Sequence, residues 1–283
     1  MNNIKINIKR TFSFTLFFII ILSIFGFWGC SSNQTKSDKT PAEILYKEAE
    51  QYVARERYLL ATEKLNTLRS QFPYSYYATH AELLIADILF LQKSYIEAAA
   101  SYMAFKELHP KHEKYAYVLW KIAESYYNQL PDTYDRDLSA SVEAVKYYSE
   151  VINKYPTSTY LEESKRKLTA IEDMLMKRDI YIADFYYKTD VFDSARYRYL
   201  DIVDKYKDKK IQDYGMIRVV KSSFYMNSFD ECVKYANEYS SKISSDVVLE
   251  LEDYKKKCIS ASASASEQAK KVQTTQTGDN KKS

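Results

Sequence analysis

The chain is short of glycine. Four occur among 283 residues: Gly26 and Gly29 near the start, Gly278 near the end, and only Gly215 between Pro41 and Ile259. Phosphate-cradling loops and dinucleotide-binding turns need several glycines for close backbone approach and positive φ, so neither fits this body. Asn-Gly and Asp-Gly pairs are missing as well, which argues against hairpin-rich β architecture. A one-sided charge is also lacking. The 41 basic residues nearly balance 38 acidic ones, for a net charge of +3, so no concentrated basic field invites nucleic acid. Three cysteines with no CxxC or Cys/His cluster give no support to a metal site. With 46% hydrophobic residues the chain can bury a core. A body almost without glycine reads as helices joined by short turns.

The first residues have the pattern of a targeting segment. Lys5, Lys9 and Arg10 precede an uncharged apolar run over residues 11–27, ending at Trp28-Gly29-Cys30. That arrangement fits a secretory signal, and the run is shorter than the ~20 apolar residues of a spanning helix. Gly29-Cys30-Ser31-Ser32 resembles a bacterial lipobox, although Phe27 and Trp28 are bulkier than its usual residues. Cys30 is therefore expected to carry lipid, residues 1–29 to be a signal peptide, and residues 30–40 a flexible tether. Ser31 after the cysteine suggests, by the sorting rule of such lipoproteins, the outer membrane. No cofactor is expected beyond that covalent lipid. Cys232 and Cys258 would then lie in an oxidising compartment, where a disulfide is possible. The preferred reading makes them small core residues on helices.

The body repeats itself. Ala49, Ala61 and Pro73 are twelve residues apart in turn, and 37 residues later stand Ala86, Ala98 and Pro110. Ala144 and Pro156 restate the second half; Ala183 and Ala195 restate the first, with Lys207 in the proline slot. A small residue on each helix of a hairpin lets the two backbones cross closely, and proline ends the second helix. Thr40-Pro41-Ala42-Glu43 supplies an N-cap, a proline at the first helical position and a capping-box glutamate, and Thr159 to Glu162 offers the same box without proline. Such units bury their faces only by stacking, so the fold class is all-α, an α–α superhelix. The pattern resembles tetratricopeptide repeats, with pairs at about 42–73, 79–110, 114–156, 160–207 and 210–258. The third carries an insert at about 130–140, and the fifth is degenerate, with Cys232 in an alanine slot, and caps the array. The division falls into N-terminal repeats over 41–157 and C-terminal repeats over 158–259. From Ser260 the Ser/Ala and Lys/Gln/Thr composition predicts a disordered tail over 260–283.

No catalytic constellation emerges, and enzymatic activity is not expected. His109-Pro110-Lys111-His112 sits at a repeat junction and reads as a solvated turn. Asp135-Arg136-Asp137 in the insert reads equally as an acid–base pair or as a self-satisfied loop, and no Ser or Cys nucleophile has histidine in its sequence context. Most of the 28 tyrosines fall at helical spacing, as wedge and core residues. Tyr76, Tyr77, Tyr115 and Tyr117, near helix starts, are the candidates to face a groove, where aromatic rings suit extended apolar peptides.

Three stretches carry a narrower resemblance over residues 42 to about 207. They are Ser75-Tyr76-Tyr77-Ala78 through Tyr95 and Phe105 to His109-Pro110; the Asp135-Arg136-Asp137 insert; and Tyr155 to Tyr160 with Lys165-Arg166-Lys167-Leu168 and Ala183 to Tyr187. Together they resemble the BamD family, the D subunit of the β-barrel assembly machinery of Gram-negative outer membranes. The family's usual proline after Asp-Arg-Asp is Leu138 here. The resemblance implies a lipid-anchored scaffold on the periplasmic face of the outer membrane. It implies two partners: the barrel-forming assembly subunit, through its polypeptide-transport domains, on the C-terminal repeats, and the C-terminal signal of unfolded outer-membrane proteins on the N-terminal repeats. Arg198 matches a family arginine near the partner interface, and Arg196 is a neighbouring candidate. Tyr52, Tyr76, Tyr77 and Tyr95 belong to the repeats that would form the substrate groove. The alternative is a repeat lipoprotein scaffolding peptidoglycan-remodelling enzymes, which gives no reason for the insert.

Overall fold

The computed structural model describes residues 39–279, with side chains through Glu267. The expected signal peptide, Cys30 and nearly all of the expected tether lie outside the described residues. Eleven helices and no strand occur among the described residues: α1 Pro41–Ala54, α2 Tyr58–Gln71, α3 Tyr76–Leu91, α4 Tyr95–Leu108, α5 Tyr115–Tyr127, α6 Ser141–Lys154, α7 Leu161–Lys188, α8 Phe192–Lys205, α9 Lys209–Tyr225, α10 Phe229–Tyr239 and α11 Val248–Asp279. Each helix packs chiefly on its neighbours in sequence, as in a repeat array.

The alanine register is the packing register. Ala49, Ala61, Ala86, Ala98, Ala123, Ala144, Ala183 and Ala195 are all fully buried, and in the fifth pair Val220 and Cys232 hold the equivalent sites. The turns explain how the chain manages with so little glycine. Glu56, Lys93, Asp190 and Asn227 have φ of 56°, 62°, 60° and 58°, one at each uninterrupted hairpin turn. At each, the next residue's N–H bonds five residues back, as in Arg57 to Tyr52 O (2.8 Å) and Ser94 to Leu89 O (3.0 Å). This is the left-handed helix ending that glycine usually supplies, here occupied by polar residues. The prolines act at the other end. Ser75, His112 and Ser158 each donate their N–H to the residue before the proline, closing turns around Pro73, Pro110 and Pro156.

Thr40 caps α1 by accepting from the Glu43 N–H at 3.2 Å. Thr159 does not cap α7: the helix begins at Leu161 after Tyr160, without a side-chain cap. Asp208 caps α9 through the Ile211 N–H at 3.1 Å, where Lys207 replaces the repeat's proline. Gly215, inside α9, is where that helix approaches α8: a Cβ there would lie 2.7 Å from the Val203 Cγ2 methyl.

Residue 157 lies between α6 and α7, but the hydrophobic core changes further along the chain. Ile171, with Leu168 and Leu175, belongs to the middle core, whereas Ala183, with Ile180, belongs to the C-terminal one, so the change falls inside α7. At 28 residues that helix is about 42 Å long and serves both. Two expectations need correction. The span 210–258 is not one helix pair, because α10 ends at Tyr239 and Cys258 sits on an eleventh helix. That helix runs past Ser260 to Asp279, where composition predicted disorder. Its alanines favour helix, and the serines turn their hydroxyls onto the helix's own carbonyls, as Ser264 does to Ser260 O at 2.9 Å. Ser262 also reaches Asp230 of α10 at 2.9 Å.

Candidate interaction surfaces

Acidic residues just after the buried alanines bind tyrosine hydroxyls across helices. Asp87, beside Ala86, accepts from Tyr102 on α4 (2.5 Å) and Tyr117 on α5 (2.7 Å). Asp184, beside Ala183, accepts from Tyr199 on α8 (2.6 Å) and Tyr214 on α9 (2.5 Å). In the third pair Glu124, beside Ala123, takes Tyr148. Burial, and then the adjacent Asp87 carboxylate, pushes the Tyr102 and Tyr117 phenols far above their ordinary range, so they stay neutral donors. Tyr117 is therefore a structural clamp and not a groove residue. The sequence signal exists: Ala-Asp recurs with tyrosines 15 and 30 residues later in both the second and fourth repeats.

The four predicted groove tyrosines are not one surface. Tyr76 and Tyr77 open α3 and join an aromatic run: Tyr46–Tyr77 ring centroids are 5.5 Å apart, Tyr76–His80 4.1 Å and His80–His112 5.5 Å. Tyr52 and Tyr95 lie at the opposite, hairpin-turn end of their helices, Tyr52 against the N-terminal core and Tyr95 against Phe90 at 5.3 Å. The histidine turn is not merely solvated. His109 Nε2 meets Glu82 at 2.8 Å, and His112 packs on Phe105 at 5.1 Å, so all three histidines of the chain line one cleft with Tyr76 and Leu108. Burial, then the neighbouring His80, holds the His112 imidazole below its ordinary value.

The insert satisfies itself. Asp137 accepts the Ser139 N–H (2.9 Å) and hydroxyl (2.8 Å), and those bonds lower its carboxyl pKa. Asp135 is lowered by its bond to Thr133. Arg136 is exposed, while Leu138 is buried and pins the loop; Tyr134 leans on Tyr181 of α7 at 5.8 Å.

On α8 the two candidate arginines differ. Arg196 is ion-paired to Glu231 of α10 and only 19% exposed, an internal tie. Arg198 is exposed and lines two clefts, one with Arg178, Asp179 and Lys205, the other with Tyr186 and the 64%-exposed Tyr197. Asp179 is fixed by Lys205 and Tyr206, both at 2.6 Å, which lower its carboxyl pKa against the opposing effect of burial. The site sequence reasoning missed is Tyr197, whose neighbours are the predicted residues.

Residues 38–236 match the family described as YfiO, outer membrane lipoprotein. The chain belongs to this family. Its relatives include the outer membrane protein assembly factor BamD of Rickettsia prowazekii, 29% identical over 74% of this chain and 83% of that protein. The protein of the same name in Vibrio cholerae is 27% identical over 66% of this chain and 82% of its own length. The family match stops within α10. Cys232 lies inside it, Cys258 and α11 outside, and the two cysteines form a disulfide with Cα atoms 6.1 Å apart. Both are buried on helices, as expected, but they are bridged and not unpaired. No described helix is long and apolar enough to cross a membrane.

Proposed function

We propose that this chain is an assembly factor for outer-membrane proteins, a non-enzymatic scaffold held on the periplasmic face of the outer membrane by lipid on Cys30. The observation that carries this reading is the family match over residues 38–236, which spans nearly all the helix pairs, together with relatives named as assembly factors. In this reading the C-terminal repeats hold the polypeptide-transport domains of the barrel-forming subunit. Exposed Arg198, flanked by Tyr197, has the composition of an interface anchor: a planar cation beside an aromatic ring. Arg196 supports that surface indirectly by fixing α8 to α10. The N-terminal repeats receive unfolded outer-membrane proteins, and the Tyr76–Tyr77–His80 aromatic run is the part of the predicted groove open to an extended apolar segment.

The test is co-purification of the tagged chain from detergent-solubilised membranes. The barrel-forming subunit is expected in the eluate, and Arg198→Glu should deplete it while Arg69→Glu, on α2, should not. An eluate without that subunit for the unaltered chain would overturn the reading. For the anchor, Cys30→Ser is expected to move the protein to the soluble fraction; retention in the membrane with an uncleaved signal would refute lipidation there.

A further inference from the structure

We infer that the cleft between α9 and the start of α11 is a second peptide-binding site, one that takes a carboxylate side chain flanked by apolar residues. It stands apart from the function proposed above, since one of its walls, residues 244–250, lies beyond the family-matched segment and it shares no lining residue with the Arg198 clefts. Its volume is about 610 Å³, within the range of ligand clefts.

Four cations line it: Lys209, Lys210, Arg218 and Lys221. Lys209 is engaged by Asp213, and Lys221 by Glu250. Asp213 is held further by the Ser244 N–H at 3.3 Å, which ties the two walls together. Neither Arg218 nor Lys210 forms a contact ion pair with a carboxylate among the described residues, although Arg218 feels the charge of Asp184. Arg218 is half-buried between two tyrosines, its guanidinium carbon 4.4 Å from the ring centroid of Tyr187 and 5.1 Å from that of Tyr214, and it hydrogen-bonds with both side chains. The nearby Asp184 is occupied by the hydroxyls of Tyr199 and Tyr214. A guanidinium confined between two tyrosines is positioned in advance, and its five N–H donors exceed what two hydroxyls can take, which suits a further bond to a carboxylate.

The rest of the cleft selects among anions. Ile217, Tyr214 and Val247 offer apolar wall, so the anion should arrive attached to an apolar neighbour. Asp246 and Glu250 on the opposite wall would repel a doubly charged phosphate more than a single carboxylate. An extended acidic–apolar peptide satisfies both conditions.

The experiment uses the detergent-solubilised full-length protein on arrays of nonapeptides with a central Leu-Glu-Leu, paired with versions carrying Gln for Glu or Ser for both Leu. Binding to Leu-Glu-Leu is expected to exceed either partner by about ten-fold, the effect of one charge-assisted contact or one buried side chain. Arg218→Gln and Lys210→Glu should abolish the preference, and Arg178→Gln should leave it unchanged. Lys210 is exposed, so its variant is expected to fold even where loss of the half-buried Arg218 destabilises the chain; thermal melts check both. Equal binding of the Glu and Gln peptides by the unaltered protein, or a preference that survives in Lys210→Glu, would overturn the inference.

Discussion

At the scale of single residues, the carboxylate–tyrosine clamps connect consecutive helix pairs from within the packed interface. Asp184 receives one hydroxyl from the second helix of its own repeat and another from the first helix of the next, so one side chain fixes both crossings. Tyr199→Phe should cost about 1.5–3 kcal/mol, the loss of one hydrogen bond to a charged acceptor. Asp184→Ala strands two hydroxyls and should cost more, about 2–4 kcal/mol. Urea unfolding of the two variants checks the order, and equal costs would show that Asp184 is not shared. His112 gives a pH signature. Its Nδ1 accepts the Lys114 N–H at 3.1 Å, which requires the unprotonated nitrogen, while burial, His80 and His109 oppose protonation and Glu113 favours it. The folded value lies below 6.5, so the unfolded chain binds more protons in that window. The contribution is complete above pH 6.5 and is lost as pH falls below it. Melting temperature should therefore drop between pH 7.5 and 5.5, and by less in His112→Asn.

At the scale of elements, α11 lies beyond the family-matched residues, which end within α10. It is fastened to α10 by Cys232–Cys258 and by Ser262–Asp230, and it covers the end of the C-terminal core with Leu251. The disulfide closes a span of 26 residues, for which chain-entropy arguments give about 3 kcal/mol. Cys258→Ser should lower stability by about that amount, and limited proteolysis should then cut first between α10 and α11. Cleavage elsewhere at an unchanged rate would show that the bridge adds nothing. The helix pairs and their small-residue register were legible in the sequence because alanine is the residue that close helix crossings demand. The eleventh helix was not, since alternating Ser and Ala has no apolar face, and only contact with α10 distinguishes it from a solvated tail.

At the scale of the whole molecule, stability runs along the array, and among the described helices α7 is the one that the middle and C-terminal cores share. Lys177 is exposed on α7 between Leu175 and Ile180. Lys177→Pro should break the helix at a cost of about 3 kcal/mol or more and uncouple the two halves. Trp120 reports the middle core, so its fluorescence and far-UV circular dichroism should coincide on unfolding of the unaltered protein and separate in the variant. Coincident curves in both would mean that the cores are joined by more than this helix.

The amino-acid order by itself determined the all-α repeat architecture, its register, and the family, because a 37-residue period in small residues and prolines specifies where helices cross and where they stop. It placed Arg198 on the second helix of the fourth pair. Only the tertiary structure decided which candidates share a surface. It separated Tyr52 and Tyr95 from Tyr76 and Tyr77, turned Tyr117 and Arg196 inward, and brought His80, His109 and His112 to one cleft. The reason is that periodicity fixes a residue's position along its helix, whereas its neighbours depend on how each pair is rotated against the next. That rotation is set by long-range contacts such as the Asp184 clamp and the Cys232–Cys258 bridge, whose partners lie 15 to 30 residues apart.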